Sequence, residues 1–265
     1  MARIHSSALV DPSAEIGDQV EIGPFAIVGP GVQIGDGSTI HAYAQVIGAT
    51  TIGRNNTIHS HAVIGGAPQD KKYRGEPTRL VIGDGNTFRE CCTVNLGTTQ
   101  DEGITRVGND NWIMAYVHIA HDCQVGSHTI MANATQLAGH VTVGDWAILG
   151  GLTGVHQFVK IGAHAMTGAG TTLIQDLPTY VMATGNPASA HGVNSEGLKR
   201  RGFTETQVAI LRRAYKTLYK SGHTLTQAMD ILHDPAALGA TGDDHDVVIR
   251  PLLAFLGSAT RGIVR

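Results

Sequence analysis

The sequence predicts a parallel β-helix built from six-residue repeats, followed by a small C-terminal α-helical domain. Two observations carry this prediction: an aliphatic residue recurs at every sixth position through most of the chain, and a helical period replaces it after Gly202. A third is composition, since 34 glycines accompany only 5% aromatic residues in a chain of 265 residues. Many glycines with few aromatic residues suit tightly turned β structure better than a conventional globular core.

The six-residue period has two parts. The first runs from the N-terminus and resumes after one interruption, at Ile4, Val10, Ile16, Ile22, Val28, Ile34, Ile40, Val46, Ile52, Ile58, Ile64, Ile82, Phe88 and Val94. The second is displaced by one residue, at Val107, Ile113, Ile119, Val125, Met131, Leu137, Val143, Leu149, Val155 and Ile161, with Thr167 as a weak member and Leu173 as the last. A period of six fits neither an α-helix nor a simple amphipathic strand. It fits short strands joined by tight turns, with each aliphatic side chain pointing to a central axis.

Three such units make a coil of about 18 residues, and coils stack at the strand spacing of roughly 4.8 Å. Gly often follows the aliphatic residue, as at Gly17, Gly23 and Gly35. We expect these glycines to supply the unusual backbone angles of the corners. By resemblance to known hexapeptide-repeat proteins the coil should be left-handed, an exception to the usual right-handed crossover. The predicted fold class is therefore a left-handed parallel β-helix of hexapeptide repeats with a small C-terminal α-helical domain.

The predicted β-helix occupies residues 1–190, and the predicted helical domain occupies residues 191–265. Two polar segments interrupt the repeat, near residues 66–81 and 95–106, and should loop out of the wall of the coil. Loops that project from a rigid scaffold often carry function.

The C-terminal region shows helix start and stop signals. Thr204, with Gln207 three residues later, predicts a capping box. A shorter helix is expected from Leu225 to His233 and another from about Asp246 to Gly257. The segment 239–246 between them looks like an acidic loop.

The bulk composition excludes several classes of function. A formal net charge of -3 predicts no nucleic-acid partner. Three cysteines, two of them adjacent, form no disulfide framework, so we expect a reducing cytoplasm. The N-terminus has no apolar core of signal-peptide length, and no apolar run reaches the roughly 18 residues that would predict a membrane span.

The stretch from His118 to Cys123 contains the candidate functional residues, and the repeat predicts where they lie. Residues about 18 apart should lie above one another in adjacent coils, roughly 5 Å apart. Counting places Gly139 and then Gln157 above His121. Because His121 lies two residues after the axial Ile119, it should face outward, where substrate can reach it.

The residues around His121 indicate acyl transfer. Asp122 beside His121 can hold the imidazole and stabilise its cation, and the same count places His140 above Asp122. Gly139 has no side chain, so its backbone N–H can approach a ligand one coil away. A base next to a backbone donor can deprotonate a hydroxyl and then stabilise a tetrahedral oxyanion, without a Ser or Cys nucleophile. We interpret Cys123 as a small packing residue.

The histidines on this wall also suggest an alternative to acyl transfer, namely a metal site. His118, His121, His140 and His156 fall within three predicted coils. Carbonic anhydrases of this fold bind zinc through three histidines. His118 and His121 would need a third ligand from a neighbouring subunit, so we expect no metal and no cofactor.

Several strings are more selective than the repeat itself: Gln69-Asp70-Lys71-Lys72-Tyr73, Gly75-Glu76-Pro77-Thr78-Arg79, His118-Ile119-Ala120-His121-Asp122-Cys123, Leu137-Ala138-Gly139-His140-Val141, Val155-His156-Gln157-Phe158, and the run from Gly192 to Phe203. Over essentially the whole length, they make the chain resemble the UDP-N-acetylglucosamine O-acyltransferases that open lipid A biosynthesis. The repeat alone would match many acyltransferases and some nucleotidyltransferases.

The resemblance implies transfer of an (R)-3-hydroxyacyl chain from acyl carrier protein to the glucosamine 3-hydroxyl of UDP-N-acetylglucosamine. It implies that His121 is the general base, that Asp122 orients it, and that the Gly139 N–H is the oxyanion donor. It also implies a homotrimer, with each site between the coils of two subunits. One wall of a triangular prism cannot enclose a long acyl chain, whereas a groove between two prisms can.

The same resemblance implies the substrate-binding residues. The first predicted loop would contact the sugar and phosphate through Gln69, Asp70 and Lys72. The cleft would be lined by His118, His140, His156 and Gln157. The uridine and diphosphate would be held by Asn194, Glu196, Arg200 and Arg201, since the guanidinium fork suits a diphosphate. Ala169 falls at the position of the family's acyl-chain ruler, and its size suggests a chain of intermediate length.

A basic face on the first predicted helix suggests how the carrier protein binds. Arg212, Lys216 and Lys220 are spaced by four residues. This face is either simply solvated or docks the acidic acyl carrier protein. Two alternative functions stay open: another hexapeptide acyltransferase, such as an N-acyltransferase acting on an aminosugar nucleotide, and a zinc-dependent or non-catalytic β-helix protein.

Overall fold

The computed structural model describes all 265 residues, and short strands dominate it up to residue 193. The strands before residue 100 are β1 (Arg3–Ile4), β2 (Leu9–Val10), β3 (Glu15–Ile16), β4 (Glu21–Ile22), β5 (Ile27–Val28), β6 (Gln33–Ile34), β7 (Thr39–Ile40), β8 (Gln45–Val46), β9 (Ala49–Ile52), β10 (Thr57–Ile58), β11 (Val63–Gly66), β12 (Arg79–Ile82), β13 (Thr87–Phe88) and β14 (Thr93–Asn95). Those after it are β15 (Ile104–Val107), β16 (Trp112–Ile113), β17 (His118–Ile119), β18 (Gln124–Val125), β19 (Ile130–Met131), β20 (Gln136–Leu137), β21 (Thr142–Val143), β22 (Ile148–Leu149), β23 (Gly154–Val155), β24 (Lys160–Ile161), β25 (Met166–Thr167), β26 (Thr172–Leu173), β27 (Val181–Thr184) and β28 (Ser189–Val193).

The strands form the three faces of a prism, and the chain visits the faces in turn. Face A contains β1 and ends with β27 and β28, face B runs from β2 to β26, and face C from β3 to β24. All pairings are parallel except that of β27 with β28. The fold is the predicted left-handed parallel β-helix. We name the corners by the faces they join: A–B, B–C and C–A.

The register confirms the coil of 18 residues. Ile16 pairs with Ile34, and Ile119 pairs with Leu137, whose next partner is Val155. Ile34, Ile119, Leu137 and Val155 are buried members of a core cluster of 41 residues, and Ile16, in the first coil, is partly buried against it. The hydrophobic effect therefore acts along the axis from the second coil onward, and this fixes which neighbouring side chains point outward.

Two segments leave the coil, and both do so at the B–C corner. The first loop, residues 67–78, lies between β11 and β12, and the second loop, residues 96–103, lies between β14 and β15. Because of these insertions Val94 pairs with Ile64 on one side and Ile119 on the other, instead of partners 18 residues away.

The structure corrects the expected role of three of the glycines that follow axial residues. Gly17, Gly23 and Gly35 do not have positive φ, whereas Phe25, three residues after an axial position, has φ of 58°. A Cβ at Gly23 would lie 2.9 Å from the backbone nitrogen of Ala42 in the next coil. Close approach between coils, rather than backbone angle, therefore requires these glycines.

The C-terminal region consists of α1 (Ser195–Arg200), α2 (Glu205–Tyr219), α3 (Leu225–Leu232), a short 3-10 turn (Ala236–Leu238) and α4 (Gly242–Ser258). These helices bury a second core cluster of 16 residues. The capping box of Thr204 and Gln207 is confirmed. The expected loop at 239–246 is wrong in its second half, because α4 begins at Gly242 with Asp243 and Asp244 in its first turn, where acidic groups favour the helix dipole.

The end of the chain closes the end of the coil. Tyr215 in α2 donates a hydrogen bond to the Ala190 carbonyl of β28. The backbone N–H groups of Thr260 and Arg261 donate to the buried carboxylate of Asp176, and that of Val264 to its carbonyl. None of the helices is long and apolar enough to cross a membrane.

Candidate active site

The B–C corner brings together the residues that counting in steps of 18 along the sequence places above one another. The His140 N–H donates to the His121 carbonyl at 3.0 Å, and the Phe158 N–H donates to the Gly139 carbonyl at 3.1 Å. His121 and Gly139 therefore lie in successive coils on one corner, as the period of 18 requires.

Asp122 holds His121 in one tautomer. Oδ2 of Asp122 lies 2.8 Å from Nδ1 of His121, and because a carboxylate accepts, Nδ1 carries the proton. The second ring nitrogen, Nε2, is then an unprotonated acceptor, as a general base requires.

Asp122 is buried, and the second loop stabilises its charge. Thr98 donates its backbone N–H to Oδ1 at 2.8 Å and its hydroxyl to Oδ2 at 2.6 Å. Burial of Asp122 disfavours the carboxylate, but the hydrogen bonds from His121 and Thr98 outweigh it and lower the pKa of this carboxyl. Asp122 is therefore a carboxylate at neutral pH.

Gly139 offers a free backbone donor at this position. Its N–H donates to no acceptor within the chain. A Cβ at residue 139 would lie 2.6 Å from Nε2 of His121, so the glycine backbone packs closely against the imidazole. A donor and a base thus meet at one point of the wall.

His140 and His118 flank the pair but are engaged differently. Nδ1 of His140 lies 2.9 Å from Oδ2 of Asp101 in the second loop, and its ring stacks on Phe158 with centroids 4.4 Å apart. Nδ1 of His118 lies 2.7 Å from Oγ1 of Thr93 on face B. Burial, and then the neighbouring His121, lower the pKa of His118, which stays neutral at pH 7.

The two loops are joined to each other by Gln100. Its Nε2 donates to Oδ2 of Asp70 at 2.9 Å, and its Oε1 accepts from Nζ of Lys72 at 3.2 Å. The Lys72 N–H and the Gln100 amide lower the pKa of Asp70. Gln69 in the first loop is exposed. The loop residues expected to contact substrate therefore lie at the same corner as His121.

His156 and Gln157 lie one coil beyond Gly139 at the same corner. Both side chains are exposed, and Nδ1 of His156 lies 3.1 Å from the Gln157 carbonyl. They extend the candidate site along the corner.

The remaining expected residues lie at other corners of this chain. Ala169 is exposed at the A–B corner, between β25 on face A and β26 on face B. Arg201 lies at the C–A corner, where its guanidinium carbon is 5.1 Å from the centroid of the Trp146 ring. One chain therefore does not bring these residues to His121.

The expected substrate-binding residues at α1 differ in whether their side chains are free to bind a ligand. Asn194 is buried: its Oδ1 accepts from the Gly197 N–H as the N-cap of α1, and its Nδ2 donates to the His164 carbonyl. Both ends of the Asn194 amide are occupied within the chain. Glu196 and Arg200 are exposed on the same helix.

Counting in steps of 18 does not predict that Thr98, Gln100 and Asp101 contact the candidate site. These residues lie in an extruded segment, to which the period of 18 does not apply. The only signal was that a polar segment interrupts the repeat before the histidine stretch.

The same corner contains one group of possible metal ligands. His121, Asp122 and His140 offer donor atoms within 4.8 Å of one another. Both Asp122 oxygens already accept hydrogen bonds, and Nδ1 of His121 is protonated. A metal ion would have to displace these contacts, so the donor set does not favour one.

Comparisons with known proteins show which family this chain resembles. The family described as Udp N-acetylglucosamine O-acyltransferase, domain 2, matches residues 176–264, and bacterial transferase hexapeptide repeats match 13–46, 31–66 and 104–135. The acyl-[acyl-carrier-protein]--UDP-N-acetylglucosamine O-acyltransferase of Thiobacillus denitrificans is 60% identical over 265 residues, which is 100% of both chains. The correspondingly named protein of Burkholderia lata is 53% identical over the same full lengths.

Solved structures show the same similarity. LpxA from Acinetobacter baumannii superposes with a TM-score of 0.93 at 45% identity, covering 99% of each chain. UDP-N-acetylglucosamine O-acyltransferase (LpxA) from Moraxella catarrhalis gives a TM-score of 0.94 at 42% identity, again over 99% of each chain. The similarity thus includes both the β-helix and the C-terminal helices.

Proposed function

This chain belongs to the UDP-N-acetylglucosamine O-acyltransferase family, and we propose that it performs that reaction through the pair formed by His121 and Asp122. It transfers an acyl chain from acyl carrier protein to UDP-N-acetylglucosamine in lipid A biosynthesis. The transferred chain is an (R)-3-hydroxyacyl group, and the acceptor is the glucosamine 3-hydroxyl. The observation that carries the mechanism is the free Gly139 N–H beside the unprotonated Nε2 of His121.

The proposed reaction needs no covalent enzyme intermediate. Nε2 of His121 takes the proton of the sugar 3-hydroxyl as its oxygen attacks the thioester carbonyl. The Gly139 N–H stabilises the oxyanion of the tetrahedral intermediate. Collapse of the intermediate breaks the carbon–sulfur bond and forms the ester, and the carrier thiolate recovers the proton from His121. Asp122 stabilises the transient imidazolium.

We assign the nucleotide sugar to the cleft beside this pair. Asp70 and Lys72, with Gln69, would contact the sugar and phosphate. His118, His140, His156 and Gln157 would line the cleft. In this proposal His118 is a neutral wall residue, because its Nδ1 is engaged by Thr93 and its pKa is lowered.

We infer a homotrimer, because one chain holds the proposed binding groups at three different corners. Glu196, Arg200 and Arg201 would bind the uridine and diphosphate at a neighbouring subunit's site. Asn194 would contribute by capping the N-terminus of α1. Large apolar side chains on the A–B corner support subunit contact, since Phe25, Tyr116 and Leu152 are 53%, 63% and 70% exposed. Ala169 lies on the same corner and would limit the acyl chain to intermediate length.

The acyl carrier protein is proposed to dock on α2. Arg212, Lys216 and Lys220 are exposed there, whereas Nε of Arg213 donates to the Leu238 carbonyl. An acidic carrier would be attracted to this face. The cytoplasmic setting expected from the cysteine content belongs to the same proposal.

The test is an acyl-transfer assay of His121→Ala with UDP-N-acetylglucosamine and a 3-hydroxyacyl carrier protein. The expected loss is about 10²–10⁴-fold, which is the usual contribution of a general base. His128→Ala, which removes a histidine from the C–A corner, is the control. Activity of His121→Ala within about tenfold of the parent would refute the role, and an inactive parent would refute the proposed reaction.

A further inference from the structure

The second loop makes three separate polar contacts with the candidate site. Gln100 bonds to Asp70 and Lys72 in the first loop, and Asp101 bonds to His140. The third contact, from Thr98 to Asp122, differs from these because both partners are buried, at 2% exposure each. Hydrogen bonds to a charged group are stronger when water is excluded.

Thr98 and His121 share one oxygen of Asp122. The Thr98 hydroxyl donates to Oδ2 at 2.6 Å, and Nδ1 of His121 donates to the same Oδ2 at 2.8 Å. The Thr98 N–H donates to Oδ1 at 2.8 Å, so the carboxylate is held at both ends. The hydroxyl therefore fixes the carboxylate plane and also neutralises part of the charge that Oδ2 presents to the imidazole.

We propose that Thr98 is a positioning residue for acyl transfer, whose hydroxyl fixes Asp122 and limits how strongly that carboxylate stabilises the imidazolium of His121. The inference rests on the proposed role of His121 as the base. It gives the second loop a role in the reaction in addition to connecting β14 and β15.

The direction of the effect follows from the charges that face His121. These are Asp122 and His140 at the B–C corner, His118 on face B and Asp70 in the first loop, with Asp101 behind His140. Removing the Thr98 hydroxyl changes only the charge presented by Asp122. Oδ2 then attracts the imidazolium more strongly, and a higher pH is needed to obtain the neutral base.

The test compares Thr98→Val, which removes the hydroxyl and keeps the backbone N–H, with Thr98→Ser, which keeps both. We expect Thr98→Val to lower kcat about 10- to 100-fold, the size expected for a lost bond to a charged group. The KM for UDP-N-acetylglucosamine should change little, and the acidic limb of the kcat/KM profile should move to higher pH. Thr98→Ser should restore most of the rate and the parent profile.

Thr129→Val is the matched control. The Thr129 hydroxyl is also buried and also donates at 2.6 Å, but to the Asn111 side chain at the C–A corner. The control should lose stability without moving the pH profile. If Thr98→Val does not fold, Thr98→Ala removes the same hydroxyl and keeps the same N–H.

A measurement without substrate separates this inference from the proposed reaction. The ring nitrogens of His121 are titrated by NMR in the parent and in Thr98→Val. Movement of the titration to higher pH in the variant supports the positioning role. A titration that does not move overturns it, whatever happens to the rate. An inactive parent would refute the proposed reaction, and the NMR comparison would still decide the role of Thr98.

Discussion

Gly139 lies against the imidazole of His121, such that a Cβ on residue 139 would be 2.5 Å from Cε1 and 2.6 Å from Nε2 of that ring. Real Cβ atoms do not approach other heavy atoms so closely. The imidazole cannot simply move aside, because Asp122 holds its Nδ1. The glycine therefore keeps both the base and its own N–H in place.

We predict that Gly139→Ala lowers kcat/KM at least about 100-fold, because a displaced base loses its orientation. The fold should persist, since Gly139 has no positive φ. Gly29→Ala is the matched control: it lies at the same corner in an earlier coil, and its Cβ would make only ordinary contacts of 3.4–3.6 Å with Ile47. Steady-state kinetics and thermal melting check both variants. Near-parent activity of Gly139→Ala would contradict the assigned geometry.

Gln100→Ala is predicted to weaken binding of the nucleotide sugar rather than catalysis. The variant removes the bonds that fix Asp70 and Lys72 in the first loop. Because these bonds are exposed, we expect the KM for UDP-N-acetylglucosamine to rise about three- to tenfold, with kcat nearly unchanged. Thr99→Ala, at the exposed neighbouring position, is the control. An unchanged KM would mean that the link between the loops does not order the first loop.

Mixing two inactive variants tests whether each site is shared between subunits. His121→Ala and Arg200→Ala remove groups that lie at different corners of one chain. In randomly mixed trimers, about a quarter of the interfaces would combine an intact His121 with an intact Arg200. We therefore expect activity to return to roughly a quarter of the parent when the variants are unfolded and refolded together. Separately refolded and then combined samples are the control, and no recovery would contradict a shared site.

Asn194 is predicted to act through the helix cap. Asn194→Ala should destabilise the protein by about 1–2 kcal/mol, through loss of the α1 N-cap and of the bond to the His164 carbonyl. Asn194→Asp keeps the cap acceptor and should lose less. Urea unfolding measures both values. If Asn194→Ala keeps the parent stability but loses nucleotide binding, the side chain contacts the substrate instead.

His164 should make the stability depend on pH. Burial, and then the positive charge of Arg201, lower the pKa of His164 to about 4. In the unfolded chain its pKa is about 6.5. Between these values only the unfolded state binds the proton, so stability falls as pH drops from about 6.5 to about 4.

The matched comparison for this effect is His164→Gln. The variant should lose less stability than the parent between pH 7 and pH 5, as measured by urea unfolding at each pH. His128→Gln, in the same column but farther from Arg201, should keep the parent's dependence. Equal pH dependence in the parent and His164→Gln would contradict the assignment.

Counting in steps of 18 along the repeat predicts which residues of the site are neighbours, and composition cannot do so. The period of 18 places Gly139 over His121 and His140 over Asp122, and the backbone hydrogen bonds show both stacks. The same count could have shown that Ala169 lies on another corner, because it follows a strand of face A and His121 follows a strand of face B. The expected backbone angles are wrong for Gly17, Gly23 and Gly35, since the period reveals the positions of these glycines but not how closely the coils approach.

The sequence by itself determined the coil, the stacking of its columns and the chemistry of the histidine stretch, because a strict repeat converts sequence distance into spatial distance. Only the tertiary structure decided what the two loops touch. Thr98, Gln100 and Asp101 leave the repeat, so their contacts with Asp122, Asp70 and His140 depend on how the extruded chain folds back. It also decided that Arg201, at the end of α1, lies at a corner away from His121, where no count along the coil applies.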